Sequence, residues 1–338
     1  MLNFALVGCG GMGKWHAREL KKMASETRVV ALCDPQPAQT AAVRQEFFPD
    51  AAEYADYAAL LSDAGRLKLD AVVLVTPHTL HHGQAKAALQ AGLHVLVEKP
   101  MVTRSEDAYD LWRTVEATGR QLAITFQAPY TAEYQYLKQL RESGRWGKVQ
   151  IIQGWLAQGW LKGTAGTWRQ KPELSGGGQM YDSGAHVLNG MMWLMNEPVV
   201  EVACFYDRCG SPVDINGVAI AKFASGALGS IAIGGNSPGW NVRVSVQTDR
   251  LQAITGPHGG FLEITGDPEL KYPHVPASSV PGAFTVYRNF VSALQGKEAL
   301  QVPVRYGVLL SALMDALYES AETGTVVKVK PVPERLPA

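Results

Sequence analysis

The sequence predicts an α/β protein in two parts: an N-terminal Rossmann-type, doubly wound parallel sheet and a C-terminal α+β domain with an open, mostly antiparallel sheet. Three observations predict it. Over roughly the first 125 residues, short apolar runs rich in β-branched residues alternate with segments of helical period, as parallel strands do when they are buried on both faces and joined by helices. A glycine-rich turn, Gly8-Cys9-Gly10-Gly11-Met12-Gly13, separates the first apolar run from the first helical segment. After residue 126 the strands follow one another across short turns such as Ser225-Gly226, which is antiparallel connectivity.

In the first part, strands are expected at 3–7, 28–33, 70–75, 93–97 and 121–126, with helices at 12–25, 36–47, 79–91 and 104–118 between them. Gly92 and Gly119 stand where two of those helices should stop. In the second part a helix at 131–143 is expected to end at Gly144. Strands follow at 149–159, 199–208, 215–224, 227–235, 241–248 and 251–256, and late helices at 283–295 and 305–322. A chain of 338 residues exceeds what one core usually serves, so two domains are expected, 1–126 for the dinucleotide and 127–338 for substrate binding and oligomerisation.

Composition narrows the partners. Apolar residues make up 46% and charged residues 18%, and 31 basic side chains balance 31 acidic ones. Nothing in that balance recommends nucleic acid or an anionic membrane. Cys9, Cys33, Cys204 and Cys209 lack C-x-x-C spacing and are too sparse for a disulfide framework, which points to a reducing compartment. No apolar run approaches a membrane span. The apolar N-terminus has neither basic flank nor cleavage site, so it reads as a strand and the cytoplasm is the expected location.

The glycine turn is G-x-G-x-x-G in its required setting, after a strand and opening a helix. Glycines there permit the tight turn and close approach to a pyrophosphate, and the helix N-terminus supplies amide donors and the positive dipole end. Asp34 ends the second strand, about 20 residues past Gly13, where a carboxylate accepts from both ribose hydroxyls and repels a 2′-phosphate. Pro35 and Gln36 follow, with no arginine beside it, which favours NAD over NADP. Gly8, Gly10, Gly11, Met12, Gly13 and Asp34 are the first cofactor candidates.

Strand carboxyl ends, where open α/β sheets bind ligands, carry two further groups. Thr76, Pro77 and His78 follow strand 70–75, with His81 and His82 behind them. No carboxylate or thiolate lies near in sequence, so no metal site is expected. His78 and His81 should line the cofactor cleft and His82 should be solvated. Glu98-Lys99-Pro100 follows strand 93–97. An ammonium at Lys99 could donate to a substrate hydroxyl and favour a developing alkoxide, or could simply pair with Glu98.

Downstream, three glycines (Gly176, Gly177, Gly178) run into an expected helix on which Asp182 and His186 are four residues apart and share a face. A carboxylate beside an imidazole is a proton-transfer pair, and the glycines would let another molecule approach the backbone. Trp155, Trp160, Trp168, Arg169 and Tyr181 crowd the approach. Tryptophan faces suit stacking on a sugar or nicotinamide, although two of the three are expected to be packing residues. Arg169 could reach a phosphate or hydroxyl.

In order, Gly8-x-Gly10-x-x-Gly13-x-x-His16, Thr76-Pro77, Glu98-Lys99-Pro100, Trp168-Arg169 and Gly176-Gly177-Gly178-x-x-x-Asp182-x-Gly184-x-His186 resemble the glucose–fructose oxidoreductase / inositol dehydrogenase / rhizopine-catabolism (Gfo/Idh/MocA) family of NAD(P)-dependent oxidoreductases. The resemblance spans nearly the whole chain. It implies a C-terminal mixed sheet that often forms an oligomer interface, hence a homodimer or homotetramer. It also implies that Lys99 is the catalytic lysine and that Asp182 and His186 are the pair at the nicotinamide. Thr76, Pro77, Glu98, Lys99, Gln127 and Arg169 join the cofactor set; Trp160, Trp168, Arg169 and Tyr181 join Lys99, Asp182 and His186 around the substrate. Two positions depart from the family. Asn189 stands where an aspartate often follows the histidine, and Gln127-Ala128-Pro129-Tyr130 replaces a segment that often carries two arginines. The missing charges suggest a small neutral substrate.

The expected reaction is therefore NAD-dependent interconversion of a secondary alcohol and a ketone on a sugar, cyclitol or related polyol. His186 would take the hydroxyl proton, Asp182 would set its tautomer, and Lys99 would bond the reacting oxygen; Lys99 as the acceptor is the variant of this scheme. The rivals are a glycoside-cleaving enzyme working by transient oxidation and elimination, and a non-catalytic NAD-binding partner.

Overall fold

The computed structural model describes residues 1–256, 258–266, 269 and 285–336. The chain divides into two compact units. One comprises 1–102, 106–125 and 286–307, and the other comprises 103–105, 126–285 and 308–338. This differs from a single cut after residue 126, because 286–307 returns to the first unit. Phe290 packs edge-on against Phe4 of the first strand, centroids 6.0 Å apart, and Ala123 bridges Pro303.

The first unit runs β1 (Leu2–Val7), α1 (Gly11–Lys22), β2 (Thr27–Cys33), α2 (Pro37–Phe47), β3 (Ala52–Tyr54), α3 (Tyr57–Ser62), α4 (Ala64–Leu67), β4 (Ala71–Leu74), α5 (His81–Gln90), β5 (His94–Val97), α6 (Ser105–Thr118) and β6 (Leu122–Ile124). Its strands pair in the order β3-β2-β1-β4-β5-β6, all parallel. Every residue of β4 and the last four of β1 are buried, as expected of strands covered on both faces. The order reverses between β1 and β4, so the turns leaving these two strands lie side by side at the sheet's carboxyl edge. Sequence reasoning missed β3. It has three residues, the middle one the exposed Glu53, and no apolar run announces it.

The second unit contains α7 (Ala132–Glu142), β7 (Val149–Ala157), α8 (Trp160–Gly163), α9 (Pro172–Ser175), α10 (Gly184–Met195), β8 (Val199–Asp207), β9 (Asn216–Phe223), β10 (Leu228–Gly234), β11 (Asn241–Thr248), β12 (Gln252–Thr255) and β13 (Leu262–Thr265). The chain then supplies α11 (Val286–Leu294) to the first unit. It ends with α12 (Val304–Thr323), which begins there, and β14 (Val327–Lys328). The sheet order is β13-β12-β11-β7-β10-β9-β8-β14. Only β7 with β10 is parallel among the described pairs.

The α10 helix covers one face of this sheet. It sits so close that a Cβ on Gly154 would overlap Val187 and Met191. The strands alternate, so the opposite face carries Phe205 (70% exposed), Val218 (59%), Ile220 (61%), Leu228 (56%) and Trp155 (40%). Register puts Phe205 opposite Val218, Val218 opposite Ala232, and Ala232 opposite Trp155, one continuous apolar row. Trp155 therefore points away from α10.

Candidate active site

The candidate residues fall in two sets, one in each unit. In the first unit the glycine turn follows β1. Gly8 adopts φ +92°, in the left-handed region, and a Cβ there would strike the carbonyl of Val75. A Cβ on Gly13 would strike the carbonyl of Gly8, so this glycine lets α1 close on the strand. Gly10 and Gly11 instead face open space, and no side chain caps the helix at Gly10. That leaves the first-turn amides of α1 for an anion. Met12 is 42% exposed at the same turn.

Asp34 Oδ2 accepts the Cys9 amide at 2.8 Å and Oδ1 the Gln36 amide at 2.9 Å. A carboxylate has further lone pairs, so Asp34 can hold the turn and still take ribose hydroxyls. Burial, then the nearby Asp34 charge, push the Cys9 thiol up to about 12. No second negative charge arises where a pyrophosphate would sit. The turn fits a dinucleotide.

Next to it, Thr76 Oγ1 donates to Gln84 Oε1 at 2.5 Å, and Pro77 is half-buried. Two expectations change here. His81 is fully buried, its Nδ1 2.9 Å from the Pro100 carbonyl and its Nε2 2.9 Å from the Thr76 carbonyl. It sits between two loops instead of lining a cleft; burial holds it below its ordinary pKa, and the neutral ring donates to one of these two carbonyls at a time. His78 is buried too, its ring centroid 6.0 Å from that of His81. His82, expected in solvent, pairs with Asp110 at 2.7 Å. Among the described residues no cluster of three or more His, Cys, Asp or Glu could hold a metal.

Glu98 follows β5 as expected, but its partners are not those of a ligand-facing residue. Its Oε1 lies 2.8 Å from His16 Nε2, and its Oε2 accepts the Lys99 amide at 3.0 Å. Burial would raise its pKa; the His16 contact and the nearby Lys99 charge overcome this and hold it at about 2. Lys99 precedes Pro100 through a cis peptide.

In the second unit α10 starts at Gly184, so Asp182 lies in the preceding turn and not on the helix. What fixes it is side-chain chemistry. Asp182 Oδ2 accepts from Trp160 Nε1 at 2.8 Å and from Arg169 Nε at 3.1 Å. Trp160 is buried in a small cluster with Val213 and Ile215, so it anchors the carboxylate and is not a stacking platform. Arg169 also lies over Trp168, 4.5 Å from the ring centroid; Trp168 is half-buried. Tyr181 is buried, its hydroxyl donating to the Thr103 carbonyl at 2.7 Å and its ring stacked on Tyr318. It is a packing residue, contrary to expectation. Of the twelve residues of α10, His186 is the one that is not buried. Asn189, one turn on, is 1% exposed, and an amide there avoids burying a charge. Gln127 is half-buried at the head of the turn Ala128–Tyr130.

The glycine run is explained by the protein's own atoms. A Cβ on Gly176 would meet Thr103, on Gly177 the Tyr181 ring and the Tyr318 hydroxyl, and on Gly178 the backbone of Asp214. Asp214 is 3% exposed, and its carboxylate accepts the Gly178 amide at 2.7 Å, the Met180 amide at 2.9 Å and the Tyr318 hydroxyl. The run is a packing cradle that delivers Asp182 to its place.

Three residues escaped the sequence reading. Asp214 lies on no motif. Tyr287 meets His16 across the first unit. His258 packs edge-to-face on His186, centroids 4.6 Å apart. A lone histidine in a loop gives no signal in sequence.

Comparison with known proteins fits this geometry. Residues 2–126 match the family model described as "Oxidoreductase family, NAD-binding Rossmann fold", and residues 134–256 match the GFO/IDH/MocA C-terminal domain. The chain belongs to the GFO/IDH/MocA family. Among its relatives, D-glucoside 3-dehydrogenase of Escherichia coli K12 is 25% identical over 97% of both chains. Inositol 2-dehydrogenase of Salmonella paratyphi B is 27% identical over 63% of this chain and 60% of its own. The crystal structure of the WlbA dehydrogenase from Bordetella pertussis, in complex with NADH and UDP-GlcNAcA, is similar over 98% of both chains, with 26% identity and a TM-score of 0.86. The family is one of NAD-binding oxidoreductases, and its fold of a parallel dinucleotide sheet with a second, mostly antiparallel sheet is the one found here. No helix among the described residues is long and apolar enough to cross a membrane.

Proposed function

We propose that this chain interconverts a secondary alcohol and a ketone on a neutral sugar, cyclitol or related polyol, using NAD in preference to NADP. The observation that carries the reading is the single half-buried residue of an otherwise buried helix, His186, just past a carboxylate held by Trp160 and Arg169. Two donors on one oxygen keep Asp182 oriented. An imidazole left half-exposed four residues past a fixed carboxylate is assigned the hydroxyl proton, with Asp182 as the group that orients it. Lys99 is assigned the reacting oxygen, where an ammonium hydrogen bond favours alkoxide character. The first-turn amides of α1 would hold the pyrophosphate and Asp34 the adenosine ribose; the dinucleotide, when bound, supplies hydride acceptance at its nicotinamide ring.

The named activities of the glucoside and inositol relatives support the polyol class. Ala128, Pro129 and Tyr130 are buried and bring no cation, which supports a neutral substrate. Three buried free thiols, Cys9, Cys33 and Cys204, fit a reducing compartment such as the cytoplasm. The apolar sheet face bearing Phe205, Val218 and Ile220 is assigned to a second copy of this chain, since exposed apolar patches of this kind mark interfaces.

A panel of inositols, aldoses, glycosides and anhydro-sugars, with NAD and NADP in parallel, tests the reading. Formation of NADH with one or more polyols is expected. Release of free sugar from a glycoside without net NADH would replace it with transient-oxidation cleavage. Dinucleotide binding without turnover on any member would replace it with a non-catalytic role.

A further inference from the structure

Within the first unit a buried chain of hydrogen bonds ends at the Lys99 backbone. Tyr287, on α11, is 3% exposed, and its hydroxyl lies 2.7 Å from Nδ1 of His16. His16, on α1, is fully buried, and its Nε2 lies 2.8 Å from Glu98 Oε1. The other oxygen, Oε2, accepts the Lys99 amide at 3.0 Å. On the far side of Lys99, His81 Nδ1 meets the Pro100 carbonyl at 2.9 Å.

An ionised Glu98 only accepts, so His16 Nε2 carries the proton on that side. On the other side Nδ1 meets the Tyr287 hydroxyl, which burial keeps protonated. Each link fixes the next, and buried networks of this kind rigidify when fully satisfied. Trp15 packs beside both rings, its centroid 5.2 Å from that of His16 and 6.2 Å from that of Tyr287.

We propose that His16 and Tyr287 are positioning residues for Lys99, acting through the Glu98 carboxylate. The inference rests on the reading of Lys99 given above. The hydrogen-bonded chain passes through the helix that opens at the glycine turn, at His16, one turn past Gly13. A Lys99 main chain pinned at its own amide and at the Pro100 carbonyl has little freedom, which is what a group that must meet a reacting oxygen requires.

The test uses Tyr287→Phe, which removes one hydroxyl and keeps the ring, with Lys99→Met and the double variant. Two readouts are taken. The first is the NMR spectrum of the full-length protein after reductive methylation of its lysines with carbon-13 formaldehyde; the Lys99 resonance is assigned by its loss in Lys99→Met. Tyr287→Phe and His16→Gln are expected to move or broaden that resonance and to leave the other lysine resonances in place. The second is turnover with the polyol found in the panel. Tyr287→Phe should lower kcat about tenfold with KM nearly unchanged, and should have no further effect in the Lys99→Met background, because residues acting through one group are not additive. An unmoved Lys99 resonance overturns the positioning role. So does an equal loss from Tyr287→Phe with and without Lys99. If Lys99→Met itself leaves turnover intact, the catalytic reading of Lys99 fails and this inference falls with it.

Discussion

At Asp34 both carboxylate oxygens already accept a backbone amide, from Cys9 at 2.8 Å and Gln36 at 2.9 Å. The charge that orders the turn is thus the same charge that would oppose a 2′-phosphate. Asp34→Ser should lower activity with NAD and raise the NADP-to-NAD ratio of kcat/KM by about tenfold, one unit of charge repulsion being removed. An unchanged ratio would show that discrimination lies elsewhere. Glu98 carries a pH signature. Its folded pKa, about 2, is below the ordinary 4.5, so the unfolded chain binds its proton first. The stability this contributes is present above about pH 4.5 and is lost as pH falls toward 2. Urea denaturation of the protein and of Glu98→Gln should therefore show a gap at neutral pH that narrows on acidification. A gap independent of pH would mean that Glu98 is held for its shape and not its charge.

At the scale of elements, the glycine cradle and α10 work together. The run turns tightly enough to place Asp182 just before a helix whose remaining residues are buried, because Asp214 takes its amides and Thr103, Tyr181 and Tyr318 fill the space that side chains would occupy. Gly178→Ala would drive a methyl into the backbone of Asp214, which no rotamer change relieves. A loss of about 3 kcal/mol is expected in chemical denaturation, with lower turnover because Asp182 is displaced. Gly83 on α5 is the contrasting position. It is exposed and a Cβ there meets nothing, so Gly83→Ala should stabilise by roughly 0.5–1 kcal/mol. Reversal of these two signs in melting experiments would refute the packing account of the glycines.

For the molecule as a whole, the second unit's sheet presents Phe205, Val218, Ile220 and Leu228 on one face, and two copies of such a face can cover each other. Light scattering at micromolar concentration should report a dimer or tetramer. Ile220→Glu, a charge within this apolar face, should shift it toward monomer with the melting profile of the first unit unchanged. An oligomer indifferent to Ile220→Glu would place the interface on another surface.

Legibility follows sequence separation. The β1 turn, Asp34 and the strand ends at Thr76 and Lys99 could be read directly, because alternation, a left-handed φ and strand termination are decided by a few neighbouring residues. The partners that give the site its form could not. Trp160 is 22 residues from Asp182, Asp214 is 36 from Gly178, and Tyr287 is 271 from His16. Spacing did mislead at Asp182, placed on a helix that begins two residues later. It misled again at His81 and Tyr181, whose polar atoms serve the protein's own carbonyls. Fold class, the dinucleotide turn and the family are written in the chain itself, since they rest on local backbone requirements and on the order of motifs. That the three glycines are a cradle, that Trp160 and Arg169 serve Asp182, and that Glu98 is held by His16 emerge from the folded arrangement alone. A side chain's partner is chosen by packing across the fold, and no local pattern carries that choice.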